Sequence, residues 1–182
     1  MDVVIDLGVY GKDGFTVDSK KKDTIPVVQP ELNHTTIGRL AQTVNDYEIV
    51  IHPGDFAYSD DWYLKFSNIL QGKEAYQAIL EQFYDQLAPI AGRKLYMASP
   101  GNHEADCSEI PYLLELCPEG QKNFTDFMHR FEDTMPVAFA SSSSNKTAQA
   151  LAAKARRLSN PPFWYSFEYG LVSWSLSYFF LI

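Results

Sequence analysis

Positive charge, cysteine, histidine and long apolar runs are all scarce in this chain, and each scarcity removes a class of function. Fifteen Lys and Arg stand against 23 Asp and Glu, a net charge of −8 over 182 residues. Binding a phosphate backbone wants a basic face, so a nucleic-acid partner is disfavoured. The one basic run, Lys20-Lys21-Lys22, reads as a solvated turn in a polar loop. No membrane span is expected, because a span needs about 20 apolar residues. The apolar stretch Trp174 to Ile182 is too short, and Glu168 and Gly170 interrupt what precedes it. Met1 leads within two residues into strand-like sequence, with no charged leader and no cleavage site, so no signal peptide is read here. What is present is apolar and aromatic residues, 46% and 14% of the chain. That excludes wholesale disorder and suffices for one domain with a core, or a piece of a larger one.

The only two cysteines, Cys107 and Cys117, form either one local disulfide or two free thiols. Three N-glycosylation sequons favour the bridge: Asn33-His34-Thr35, Asn123-Phe124-Thr125 and Asn145-Lys146-Thr147 exceed what chance supplies and suggest a secretory history.

Hydrophobic periodicity predicts a strand over 2–6 and a polar, glycine-punctuated loop to Pro30. A helix capped by Thr35 or Thr36 then carries Ile37, Leu40, Ala41 and Val44 on one face. A strand over 48–52 stops at Pro53-Gly54, and an aromatic loop runs from Asp60 to Gly72. Tyr76, Ile79, Leu80, Phe83 and Leu87 mark a long amphipathic helix ended by Pro89 and Gly92. A strand over 94–98 and a helix over about 122–134 with Phe124, Phe127, Met128 and Phe131 follow. Ala138 to Ala155 reads as a low-complexity surface excursion with a short helix, and Phe163 to Gly170 resumes strand patterning. The βαβαβ order implies an α/β fold with a mainly parallel sheet and right-handed crossovers.

Three of these strands end in polar clusters: Asp6-Leu7-Gly8, Gly54-Asp55-Phe56-Ala57-Tyr58 and Gly101-Asn102-His103-Glu104. Sites in open α/β sheets collect at carboxyl strand ends. Asp6, Asp55, Tyr58 and Asn102 are oxygen donors, which suit hard cations. One bridging carboxylate holds two metals roughly 3.5–4 Å apart, the spacing used for in-line displacement at phosphorus. A tyrosine, with its reference pKa of about 10, ionises in acid only on a highly charged metal such as Fe(III). His103 is placed to bond a phosphate oxygen or protonate a leaving alkoxide. Taken singly, each has a plainer reading: a strand-end cap for Asp6, packing for Tyr58, a polar loop residue for His103. The ordered set is far more specific.

That set resembles the first three motif blocks of the purple acid phosphatases, within the calcineurin-like metallophosphoesterases, and in particular secreted fungal acid phosphatases. The resemblance extends through Val50-Ile51-His52-Pro53-Gly54-Asp55-Phe56-Ala57-Tyr58 and Phe163-Trp164-Tyr165-Ser166-Phe167. It implies a binuclear centre with Asp6 and Tyr58 on Fe(III), Asp55 bridging, and Asn102 on a divalent Zn, Mn or Fe. His103 would contact substrate phosphate and Glu104 would orient its loop. It also implies hydrolysis of small phosphate monoesters by a secreted parent protein.

The family's further metal-binding histidines have no counterpart. Of the four histidines, His34 lies in a sequon, His52 in a strand as a packing or capping residue, and His129 on a helix face. Residues 1–172 are therefore expected to be the amino-terminal half of an α/β/β/α sandwich, inactive or nearly so alone. Residues 173–182 are expected to be an atypical apolar tail from truncation or mis-splicing. Two competing readings remain: a non-catalytic fragment or pseudoenzyme, and a phosphodiesterase or nucleotidase on the same scaffold.

Overall fold

The computed structural model describes residues 1–9, 35–60, 72–105, 117–137 and 140–177. The elements in chain order are β1 (Asp2–Val3), α1 (Thr36–Gln42), β2 (Ile49–His52), α2 (Gly72–Ala91), β3 (Leu95–Ala98), a single 3-10 turn (Lys122–Phe124), α3 (Thr125–Phe131), α4 (Lys146–Leu158), β4 (Trp164–Tyr169) and β5 (Val172–Ser177).

The first three strands form a parallel sheet in the order β1-β2-β3, which confirms the α/β architecture expected from the sequence. The central strand is Ile49-Val50-Ile51-His52, buried along its whole length. Its β-branched residues favour extended backbone, and burial on both faces is what a central parallel strand requires. Around it pack Ile79, Phe83, Leu87 and Ile90 of α2 and Phe127 and Phe131 of α3. Thr35 caps α1 as expected, its Oγ1 accepting a hydrogen bond from the Gly38 N–H at 2.9 Å, while Ile37 and Leu40 face the core.

Several boundaries differ from expectation. β1 covers 2–3 rather than 2–6, with one further bond from Val4 N–H to Ile51 C=O (2.9 Å) before Asp6 takes a left-handed backbone (φ 55°). α2 runs through Pro89 to Ala91. A proline in the last turn removes a single intrahelical bond, while Ile90, fully buried, fixes that turn into the core and Gly92 N–H closes onto Ala88 C=O at 3.0 Å. The helix expected over 122–134 is broken at Asn123 and Phe124, both left-handed, so the 3-10 turn precedes a shorter α3.

β4 and β5 form an antiparallel hairpin, a second sheet in which each β4 residue from Trp164 to Tyr169 faces a β5 residue. Buried Tyr165 anchors it: its hydroxyl donates to the Ala98 carbonyl, at the end of β3, at 2.8 Å and contacts Met135 Sδ at 3.1 Å. The Tyr169 hydroxyl donates to Glu48 next to β2. Among the described residues no helix is long and apolar enough to cross a membrane.

Candidate functional site

The carboxyl ends of β1, β2 and β3 are stitched together by backbone before any side chain enters. Leu7 N–H donates to Asp55 C=O (3.2 Å), Gly8 N–H to Phe56 C=O (2.7 Å) and Ser99 N–H to His52 C=O (3.2 Å). The second and third loops approach so closely that neither glycine between them can carry a side chain. A Cβ on Gly54 would lie 2.6 Å from Gly101 Cα, and one on Gly101 would lie 2.1 Å from Asp55 Oδ1. Gly54 also has φ 112°, a region L-residues rarely occupy.

Glu104 clamps the same two loops. Its carboxylate accepts three backbone N–H bonds, from Asp55 (2.9 Å) and Gly101 (2.8 Å) on Oε2 and from Phe56 (2.8 Å) on Oε1. Burial nonetheless pushes its pKa up to about 7, because desolvation of the charge outweighs those bonds. Glu104 is thus the loop-orienting residue expected from the sequence.

Asp6, Asp55 and Tyr58 come together on this frame. All three have left-handed backbone (φ 55°, 55° and 52°), and only Asn123 and Phe124 share that geometry among the described non-glycine residues. The Tyr58 hydroxyl donates to Asp6 Oδ1 at 2.6 Å, and the Asp6 and Asp55 carboxyls are near enough to shift each other's titration. Their pKa values move apart. The hydrogen bond from Tyr58, and after it the neighbouring Asp55, hold Asp6 below the usual carboxylate range, whereas burial raises Asp55.

Asp55 Oδ1 also accepts the His103 N–H at 3.1 Å. The His103 ring lies 4.0 Å from the Tyr58 ring, centroid to centroid, and its Nδ1 meets both oxygens of Asp60 at 3.0 and 3.1 Å. In the sequence Asp60 marks only the start of the aromatic loop, and the motif ends at Tyr58. The available signal was an acidic residue two places beyond it. Gln121, also unforeseen, donates to the carbonyl of Ala105 at 3.0 Å and to that of His103 at 3.5 Å.

Asn102 is exposed and sits between Gly101 and His103, both in contact with Asp55; its carbonyl accepts the Ala105 N–H. His52 is fully buried, stacked on Phe56 at 3.9 Å with Nδ1 2.6 Å from the Tyr96 hydroxyl, the packing role expected of it. Of the three sequons, Asn33 lies outside the described residues, while Asn123 and Asn145 are exposed. Cys117 is buried and carries no free thiol, and Cys107 lies outside the described residues.

Two carboxylates and a phenol form an oxygen-only donor set that fits a hard cation. Among the described residues no group of three or more His, Cys, Asp or Glu is arranged to hold a metal.

No family model matches the chain. It is 66% identical over 176 residues to acid phosphatase A of Cryphonectria parasitica, an alignment spanning 93% of this chain and 35% of that protein. It is 32% identical over 99 residues to an acid phosphatase of Aspergillus ficuum (42% of this chain, 13% of that one). It is 36% identical over 78 residues to a nucleotide pyrophosphatase/phosphodiesterase of Hordeum vulgare (43% and 17%). Among solved structures, a purple acid phosphatase from yellow lupin seeds superposes with a TM-score of 0.45 at 21% identity, covering 96% of this chain and 23% of that one. The chain spans about a third of the length of the fungal relative it matches almost throughout.

Proposed function

We propose that this chain, two-thirds identical to a fungal acid phosphatase over a third of that protein's length, carries the first part of a metal-dependent acid phosphatase site that hydrolyses small phosphate monoesters. The observation that carries the reading is the meeting of Asp6, Asp55 and Tyr58, each on left-handed backbone in the loops that follow β1 and β2. Left-handed non-glycine residues are uncommon and cluster at functional sites.

In this reading Asp6 and Tyr58 would hold Fe(III), Asn102 would hold a divalent Zn, Mn or Fe, and Asp55 would serve both. A bound metal pair would supply Lewis acidity toward the phosphoryl oxygens and toward water. The chain's own residues do the rest. Asp60 engages Nδ1 of His103 and keeps the proton on that nitrogen, so any exchange with a phosphate oxygen or leaving group falls to Nε2. The Tyr58 ring and the bond from the His103 N–H to Asp55 fix where that imidazole stands. The histidine ligands implied by the family resemblance have no counterpart here. His52 is sealed in the core, His129 is exposed on α3 and His34 lies outside the described residues. The chain alone is accordingly inactive or nearly so.

The direct test adds Fe(III) and Zn(II) to the purified chain at acid pH. Iron bound by a phenolate gives a violet absorption, which is expected for the parent and absent in Tyr58→Phe. Turnover of p-nitrophenyl phosphate is expected to be negligible. No colour in the parent, or colour unchanged in the variant, refutes the ligand assignment, and substantial turnover refutes the inactivity. A second reading, a phosphodiesterase, is favoured by the similarity to the barley protein. Hydrolysis of bis(p-nitrophenyl) phosphate in preference to the monoester by a longer protein containing this segment would establish it.

A further inference from the structure

Helix α4 is weakly anchored. None of its residues is buried, and Leu151 and Leu158 are 63% and 61% exposed. Its amino end is fixed by its own cap, Asn145 Oδ1 accepting from Thr147 N–H at 2.8 Å, and by Gln149 Nε2 donating to the carbonyl of nearby Ser143. At the other end the Trp164 indole N–H donates to Leu158 C=O. A 13-residue helix without a buried face is marginal in water, so this one opens at little cost to the rest of the fold. Proteases need such opening, because they bind substrate as an extended strand.

The last turn of this helix carries Arg156-Arg157, both exposed, followed by exposed Leu158. One residue further on, Ser159 is already extended (φ −72°, ψ 142°). The other basic pair among the described residues, Arg93-Lys94, stands in the opposite situation. Both its N–H groups donate to Ile90 C=O, Arg93 is hydrogen-bonded to Asn45, and the next residue opens β3 against the central strand. Presenting that pair to a protease would dismantle the parallel sheet.

We propose that the Arg157–Leu158 peptide bond is a processing site for an endoprotease selective for paired basic residues. The step is a hydrolysis: the C–N bond breaks, water supplies a carboxylate to Arg157, and the leaving nitrogen becomes the free amine of Leu158. The piece beginning at Leu158 stays attached, since Tyr165 and Leu176 are buried in the core and the Tyr165 hydroxyl holds Ala98 C=O. The product is a two-chain protein with an intact candidate site.

The test treats the folded chain with a paired-basic-specific endoprotease, follows cleavage by intact mass, and runs the product by size exclusion. A new amino terminus at Leu158 is expected, with both pieces co-eluting, no cut after Lys94, and no such terminus in Arg157→Gln. Resistance of the 157–158 bond in the folded chain, under conditions that cut the urea-unfolded chain there, overturns the proposal. So does earlier cleavage at Arg93-Lys94, and separation of the pieces overturns the two-chain product.

Discussion

Two buried groups beside the site, Glu104 and His52, are shifted in opposite directions, so their effects on stability offset each other between pH 4.5 and 6.5. Burial raises Glu104 from 4.5 to about 7 and lowers His52 from 6.5 to about 4. Between pH 4.5 and 7 the folded protein keeps a proton on Glu104 that the unfolded chain has lost, so this group's contribution is full below 4.5 and falls as pH rises. Between pH 4 and 6.5 the unfolded chain protonates His52 while the folded one does not, so that contribution is full above 6.5 and falls as pH drops. Each slope is about 1.4 kcal/mol per pH unit, and each effect totals about 3 kcal/mol across its window. Over the shared window the two cancel. Urea unfolding of the chelator-treated chain at pH 4.5, 5.5 and 6.5 should therefore show little trend from these groups. Glu104→Gln should lose stability steadily as pH is lowered, and His52→Asn should gain it. The slopes are the readout, since both variants also lose packing or hydrogen bonds at every pH. If both variants track the parent in parallel at all three values, the buried charges do not titrate as argued and the account fails.

Gly101→Ala forces a methyl group to within 2.1 Å of Asp55 Oδ1 and 2.4 Å of Asp55 N. It should cost about 1–3 kcal/mol as an overpacked contact and abolish the Fe(III) colour, measured by unfolding and visible absorption; a coloured, equally stable variant contradicts the close approach. Asp60→Asn replaces the carboxylate on His103 Nδ1 with a neutral amide. The ring should lose its fixed setting, seen as averaged imidazole nitrogen shifts in NMR while the fold persists, and unchanged shifts would remove Asp60 from the site. Tyr165→Phe strands the Ala98 carbonyl and should destabilise the chain by about 1–3 kcal/mol in urea unfolding, with the hairpin amides losing hydrogen-exchange protection first; uniform loss of protection would mean that the tyrosine does not hold the hairpin specifically.

Local signals in the sequence were enough for β2, α1 with its threonine cap, and the face of α2 that meets the core. Each depends on propensity and periodicity within one segment. The misplaced boundaries depend on something a segment does not contain. Pro89 is tolerated because Ile90 reaches a core that other elements build, and the break at Asn123 and Phe124 is a backbone choice no periodicity encodes. The candidate site divides the same way. Asp6, Asp55, Tyr58 and His103 were legible because their residue types follow apolar strands. Asp60 was not, since its meaning lies in a ring 43 positions away. Glu104 was legible only as a residue orienting its own loop, because its three donors lie on two loops 49, 48 and 3 positions distant.

The left-handed positions show how the core and the site depend on each other. Left-handed backbone costs an L-residue roughly 1–2 kcal/mol, and Asp6, Asp55 and Tyr58 each carry it. In every case the next residue is buried: Leu7, Phe56 and Ser59. Asp6 and Asp55 are each followed by an apolar side chain with almost no exposure, and fully burying such a group is worth about 1.5–3 kcal/mol, enough to offset the strain one residue earlier. Phe56 is the clearest instance. It stacks on His52 and meets Phe83, Phe127 and Phe131 with ring centroids 5.5–5.9 Å apart, while its carbonyl accepts the Gly8 N–H and its own N–H donates to Glu104. A relaxed backbone at Asp55 would require withdrawing that ring from the core. Two of the oxygen donors, Asp6 and Asp55, are thus held in strained settings by hydrophobic packing behind them.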